Sequence, residues 1–266
     1  GAATPAADRA AAWLRASLGD APAGQRADAV VGLAAAGRPR AEITPLLTRL
    51  SREAPAYART VGGAAKVALA AAAGGADPRR LGGVDYVARV RRGYAAGRFG
   101  ATAFDQGLAM LALRAAGERV PAGAVAALRA GQAGGGWGFE LRTSRPDDCS
   151  STGLLVEALR AAGVPARDRM IRRALTWLAA RRNREGGYAF DCAGGPTEAN
   201  TTAFVIRAFT AAGRPAPPGA GAALRRLQRA DGGVAFRADT DGSRLLATLD
   251  ALPALAGVPL PPPPAR

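Results

Sequence analysis

The residues best suited to chemistry crowd into one stretch, Arg145-Pro-Asp-Asp-Cys-Ser-Ser-Thr152, with further carboxylates at Glu198 and Asp239. Paired carboxylates such as Asp147 and Asp148 suit general-acid work, because neighbouring groups can hold a proton in place inside a dry site. An aspartate two residues before a thiol, Asp147 then Cys149, is also the start of a zinc set. The set goes no further, because the chain has no histidine. That absence excludes histidine-ligated metals, Ser-His-Asp and Cys-His catalysis, and a histidine pH switch. Asp147 and Glu198 would be the two carboxylates a glycosidase needs facing one another, although few aromatics are present to line a sugar cleft.

These groups must be positioned by helices. Hydrophobic residues make up 48% of the 266, and they are mostly Ala, Leu and Val, with aromatics at only 5%. Ala and Leu favour helix, whereas β-branched and aromatic residues favour strands. A phrase recurs along the chain, an apolar helix closing on two small residues and a glycine. Its glycines are Gly37, Gly74, Gly117, Gly163, Gly213 and Gly257, spaced 37, 43, 46, 50 and 44 residues apart. Glycine there suits the left-handed position that ends a helix, and prolines follow at 39, 121, 165, 215 and 259.

Each closing helix is preceded by a second helix and a turn. Outer-type helices are expected over Val84–Arg92, Ala122–Gly131, Arg169–Arg182 and Ala220–Arg229, with arginines on one face. Inner-type helices are expected over Asp105–Ala116, Ser150–Ala162, Asn200–Ala212 and Ser243–Ala256, apolar nearly all round and therefore buried on both sides. One such hairpin cannot cover its own apolar surface, but a closed ring of them can.

The turns carry a signature: Gln132-Ala-Gly-Gly-Gly-Trp-Gly-Phe139, Arg182-Asn-Arg-Glu-Gly-Gly-Tyr-Ala-Phe190 and Gln228-Arg-Ala-Asp-Gly-Gly-Val-Ala-Phe236, with a degenerate copy at Arg92-Gly-Tyr-Ala-Ala-Gly-Arg-Phe99. Glutamine, a glycine pair and an aromatic resembles the repeat of protein prenyltransferase β subunits and of squalene and terpenoid cyclases. The resemblance implies an all-α toroid, an α6/α6 barrel of six helical hairpins, over residues 1–258, followed by a Pro-rich tether at 259–266. The hairpins before about residue 78 lack the glycine–aromatic turn and rest on helix pattern alone.

In such a fold ligands lie in the central funnel, rimmed here by Asp105, Asp148, Glu198, Asn200, Thr201 and Asp239. Asp148, Glu198 and Asp239 fall just before inner helices, where capping alone also explains a carboxylate. The stretch at 145–152 resembles the Asp-x-Asp-Asp-Thr motif of class II terpenoid cyclases, which makes Asp147 the implied acid and Asp148 its neighbour. Arg145 stands where the motif begins with aspartate. The Asp-x-Cys pair of the zinc prenyltransferases lacks its histidine, so no metal and no cofactor is expected. Adjacent repeats would bring Cys149 and Cys192 together at one rim, which points to a disulfide and an oxidising compartment. Two buried free thiols or a redox pair are the alternatives.

The net charge of +15 is almost all arginine, since Lys66 is the single lysine. With abundant Ala, Gly and Pro it fits a high-GC, actinobacterial-type composition and a solvated outer face better than a nucleic-acid partner, whose groove would interleave charge with aromatics. No apolar run is long enough to span a bilayer. The expected protein is a monomeric, non-catalytic toroid exported from a bacterium. It would bind a small molecule or a protein, as the cobalamin-carrier barrels do, and the tail could tether it to a region beyond Arg266. The alternative is a small class II cyclase-like enzyme using Asp147 as general acid.

Overall fold

The computed structural model describes residues 4–141 and 148–266. Among the described residues, twelve helices alternate between two layers. The outer helices are α1 (Pro5–Ser17), α3 (Arg40–Tyr57), α5 (Tyr86–Arg92), α7 (Ala122–Gly131), α9 (Arg169–Ala179) and α11 (Ala220–Arg226). The inner ones are α2 (Ala23–Ala35), α4 (Val61–Ala73), α6 (Ala103–Ala115), α8 (Cys149–Ala161), α10 (Ala199–Ala211) and α12 (Arg244–Ala256). Each inner helix packs on the next, and α12 packs on α2 and α1, so the ring closes as an α/α toroid. The two short strands, β1 (Tyr94–Ala95) and β2 (Arg98–Phe99), form a hairpin in the degenerate turn with Tyr94 opposite Phe99.

The recurrent stops are one motif used six times. In every inner helix the glycine after the last turn donates to the carbonyl three residues back, and the next residue donates five back. Gly37 bonds Ala34 and Arg38 bonds Leu33, while at the far end Gly257 bonds Ala254 and Val258 bonds Pro253. The left-handed residue of the second copy is Gly75, with φ of 77°, and not Gly74, which keeps a right-handed φ of −80° as the cap. Gly74 takes the cap position that Ala36 and Ala116 hold in other copies, so the left-handed glycine is the next residue.

The turn signature stitches hairpin to hairpin. The Gln132 amide donates to Gly135 O at 2.8 Å within its turn and to Met170 O at 2.9 Å in the next outer helix. Gln228 does the same across the closure of the ring, to Gly232 O at 2.9 Å and Ala6 O at 2.8 Å. In two of the turns the first aromatic is a buried plug, Trp137 and Tyr188 being 2% and 0% exposed, and Val234 takes that place in the third. The second, Phe139 or Phe190, points outward at 51% and 79%.

Small residues let the inner helices approach closely. A Cβ added to Gly153 of α8 would lie 2.7 Å from the Phe204 carbonyl oxygen of α10, and one added to Gly107 of α6 would lie 2.8 Å from the Leu154 side chain. A narrow ring leaves little space at its axis.

The Pro-rich C-terminal segment lies against the barrel. Leu260 is buried and its N–H donates to Glu157 Oε1 at 2.7 Å. Ala265 N–H reaches the Ala73 carbonyl at 2.8 Å, and the Arg266 carbonyl accepts from Arg40 N–H at 2.8 Å. The segment thus runs from the end of α12 to the ends of α2 and α4, across the barrel face opposite the turns.

Candidate functional site

The turn face is built from helix N-termini, and its carboxylates are engaged there. Asp105 and Thr102 form a capping box on α6. Asp148 caps α8, accepting from Ser150 and Ser151 N–H and from Ser151 Oγ at 2.6 Å. Glu198, 1% exposed, caps α10 through Thr201 and Asn200 N–H and also accepts the Thr201 hydroxyl. Asp239 stands apart. Its turn makes an extra reversal, with Phe236 N–H to Asp241 O and Arg237 N–H to Thr240 O, so Ser243 takes the cap of α12. Asp239 is left exposed and ion-paired with Arg237 at 3.2 Å. Asp147 and Arg145 lie outside the described residues.

The caps connect across the ring. Ser150 Oγ lies 3.0 Å from Thr201 Oγ1, joining the Asp148 cap to the Glu198 cap. Asn200 donates inward to Asp250 Oδ2 at 2.7 Å. Beside this chain the Cys149–Cys192 disulfide links the first residue of α8 to the turn of the next hairpin, with Cα atoms 5.6 Å apart. Cys149 therefore has no thiolate to offer a metal.

Beneath the rim lies a set of charges that sequence reasoning did not single out. Lys66 of α4 pairs with Asp28 of α2 at 2.6 Å. Arg207 of α10 pairs with Glu157 of α8, both almost wholly buried, and its guanidinium sits 4.8 Å from the Phe204 ring centre. Asp250 of α12 faces the same space. Burial opposes the charge of Lys66 and of Arg207, but the Asp28 and Glu157 carboxylates outweigh it and hold both cations above their ordinary pKa. Burial pushes Asp250 up, against the Asn200 hydrogen bond, and Asp28 adds to the rise. Burial likewise raises Glu198 despite its bonds from Thr201 and Asn200. Once Asp250 holds its proton, two cations meet two carboxylates and the axis is neutral.

The signal for this cluster was a mid-helix charge in each of several largely apolar inner helices. Asp28 and Lys66 are each the sixth residue of theirs, Glu157 and Arg207 each the ninth. Equal registers put paired charges at equal heights on neighbouring helices. A second unread signal was Thr152, Thr202 and Thr248, whose hydroxyls accept the turn N–H groups of Trp137, Tyr188 and Val234 at 2.8–3.1 Å.

The remaining central cavity measures about 70 Å³. All six inner helices line it, with Val31, Leu69, Leu108, Leu154 and Leu249 among their side chains, and Leu260 of the C-terminal segment adds to the wall. Ligand sites ordinarily measure about 300–1,000 Å³. The large apolar side chains that face solvent, Phe139, Phe190 and Leu246, all stand on the turn face instead. Phe139 continues inward through Phe104, 6.0 Å away between ring centres, to Phe204 at 5.4 Å.

The sequence matches no family model and no curated protein. Its fold is similar to solved structures. One is the type II terpene cyclase MstE from Scytonema, without ligand, at a TM-score of 0.62 and 16% identity over 94% of this chain and 96% of that one. Another is a wild-type glycosidase, at a TM-score of 0.50 and 18% identity over 96% of this chain and 87% of that one. Together with the closed ring, these likenesses define the chain as an α/α toroid of the terpenoid-cyclase-like fold class.

Proposed function

We propose that this chain is a non-catalytic binding domain of an exported bacterial protein, and that it presents the turn face of its toroid to a ligand or protein. The observation that carries this reading is the central cavity of about 70 Å³, lined by the ionisable Asp28, Lys66, Arg207 and Asp250 and walled by Leu260. A folded isoprenoid chain has no room there, and the Lys66 and Arg207 cations share the space with Phe104 and Phe204, the two rings that a carbocation would need. The Cys149–Cys192 disulfide supports an oxidising, extracytoplasmic setting. Among the described residues no helix is long and apolar enough to cross a membrane.

The outward Phe139, Phe190 and Leu246 supply the apolar contact area, and Asp239 and Arg237 give the surface its polar edge. Asp105, Asp148 and Glu198 act as caps beneath it. The alternative, a small class II cyclase-like enzyme with Asp147 as acid and Asp148 beside it, has the fold in its favour and the closed centre against it.

Binding of the apolar dye 1-anilinonaphthalene-8-sulfonate separates rim from centre. A Phe139→Ser/Phe190→Ser variant should lose most of the dye fluorescence, and Leu249→Phe, which fills the cavity, should leave it unchanged. Loss of dye binding in Leu249→Phe with the rim pair unaffected would place the site at the axis and defeat the reading.

A further inference from the structure

The outer wall of the fifth hairpin carries a groove of different character, and it is independent of the rim. Helix α9 buries Met170, Ile171, Ala174 and Leu175 against the ring, and its opposite face exposes Arg169, Arg172 and Arg173. Residues three and four apart on a helix are neighbours, about 5–6 Å between Cβ atoms. Arg181 follows the helix, and Arg214 approaches from the loop after α10. The five guanidinium groups line a groove of about 680 Å³, and no carboxylate lines it.

Several arginines elsewhere on the surface are ion-paired. Arg38 holds Glu42, Arg49 holds Glu53, Arg79 holds Glu118, and Arg129 holds Asp168. Crowding like charges without partners is unfavourable unless an anion joins them. Two further groups in the groove lack a polar partner or a carboxylate. The Trp177 side chain is 5% exposed, yet its indole N–H has no acceptor. The Arg181 guanidinium stacks 3.7 Å from the Trp177 ring centre, and its polar contact is the Trp177 carbonyl at 3.2 Å. Burial lowers the Arg181 pKa with no carboxylate to offset it. The Arg181 cation thus lies over the buried Trp177 indole in an open groove, with no carboxylate beside it.

We propose that this groove binds a linear acidic polysaccharide whose carboxylate or sulfate groups are taken by Arg169, Arg172, Arg173 and Arg214. The planar guanidinium fork matches such groups bidentately. Single-stranded nucleic acid fits less well, because its bases need exposed aromatic faces to stack on and the one indole here is covered by Arg181. A lipid surface fits less well too, because no large exposed apolar side chain stands in the groove to enter it.

The test is titration at about 0.15 M salt, where weaker surface attraction is screened. Polygalacturonate and dextran sulfate are compared with neutral dextran, duplex DNA and phosphatidylglycerol vesicles, by calorimetry and tryptophan fluorescence. Both acidic polysaccharides should bind and neutral dextran should not. Arg172→Ser/Arg173→Ser should weaken binding by about tenfold or more, since two charge-assisted contacts are lost. Arg214→Ser, on a separate loop, should weaken it in the same direction. The control Arg52→Ser/Arg59→Ser, on exposed positions of another wall, should leave it unchanged. Equal loss in the control would reduce the effect to net charge. Tighter binding of DNA or vesicles, or no binding of either polysaccharide, would also overturn the proposal.

Discussion

Replacing Arg207 by methionine tests whether the charges at the axis hold the ring together. In the parent, Glu157 Oε1 accepts from Arg207 Nε at 3.2 Å and from Leu260 N–H at 2.7 Å, and Glu157 Oε2 is paired with the other arm of the guanidinium. Arg207→Met leaves a fully buried carboxylate with one backbone donor. Breaking a buried pair by removing one partner costs about 3–5 kcal/mol. For a chain of this size a loss of 1 kcal/mol lowers Tm by roughly 2 °C, so Tm should fall by roughly 6–10 °C. Arg207→Met/Glu157→Met removes both charges and leaves only the Leu260 N–H unmatched, a cost of about 1–3 kcal/mol. The double variant should therefore be more stable than the single one. Urea unfolding followed by circular dichroism gives both values. A single-variant cost below about 1 kcal/mol would show that the pair does not secure the centre. A double variant as unstable as the single one would assign the loss to packing and not to charge.

Three further outcomes follow from the same geometry. Asp250, raised by burial, binds its proton more tightly folded than unfolded, so its contribution to stability is present in acid and is lost as pH rises from about 4 through its folded pKa. Asp250→Asn should match the parent near pH 4 and exceed it near neutrality by urea midpoint, and an advantage confined to acid would reverse the sign. Gly153→Ala, whose new Cβ would meet the Phe204 carbonyl at 2.7 Å, should cost about 1–3 kcal/mol, and a neutral result would mean that α8 and α10 are not in close contact. Cys149→Ala/Cys192→Ala should lose about 3–4 kcal/mol relative to the oxidised parent, since the bridge closes a segment of 43 residues, and unchanged stability would remove its structural role.

The ring was legible because its signals are local and repeated. Six glycine stops at near-constant spacing and three glycine–aromatic turns mark hairpins wherever they lie in space. The Cys149–Cys192 pairing was legible for the same reason, since equivalent turns of adjacent hairpins must be neighbours. The charged axis was not. Asp28 and Lys66 are 38 residues apart and Glu157 and Arg207 are 50 apart, and each stands in the middle of a largely apolar helix. Only helix register makes partners of them. The C-terminal segment was opaque in another way. Its prolines describe a stiff extended chain but not what that chain lies on, and the buried Leu260 is a single apolar residue among them. Asp239 shows the limit of register itself, because an extra reversal between Phe236 and Asp241 moved the cap of α12 to Ser243.

The central claim is that the toroid's axis is closed to an isoprenoid chain, and turnover tests it most directly. The protein and its Asp147→Asn variant are incubated with geranylgeranyl- and squalene-type substrates, with and without magnesium, and the extracts are analysed by mass spectrometry. A closed axis predicts no cyclised product from either. A product formed by the parent and abolished by Asp147→Asn would contradict it, and would make the chain a terpenoid cyclase.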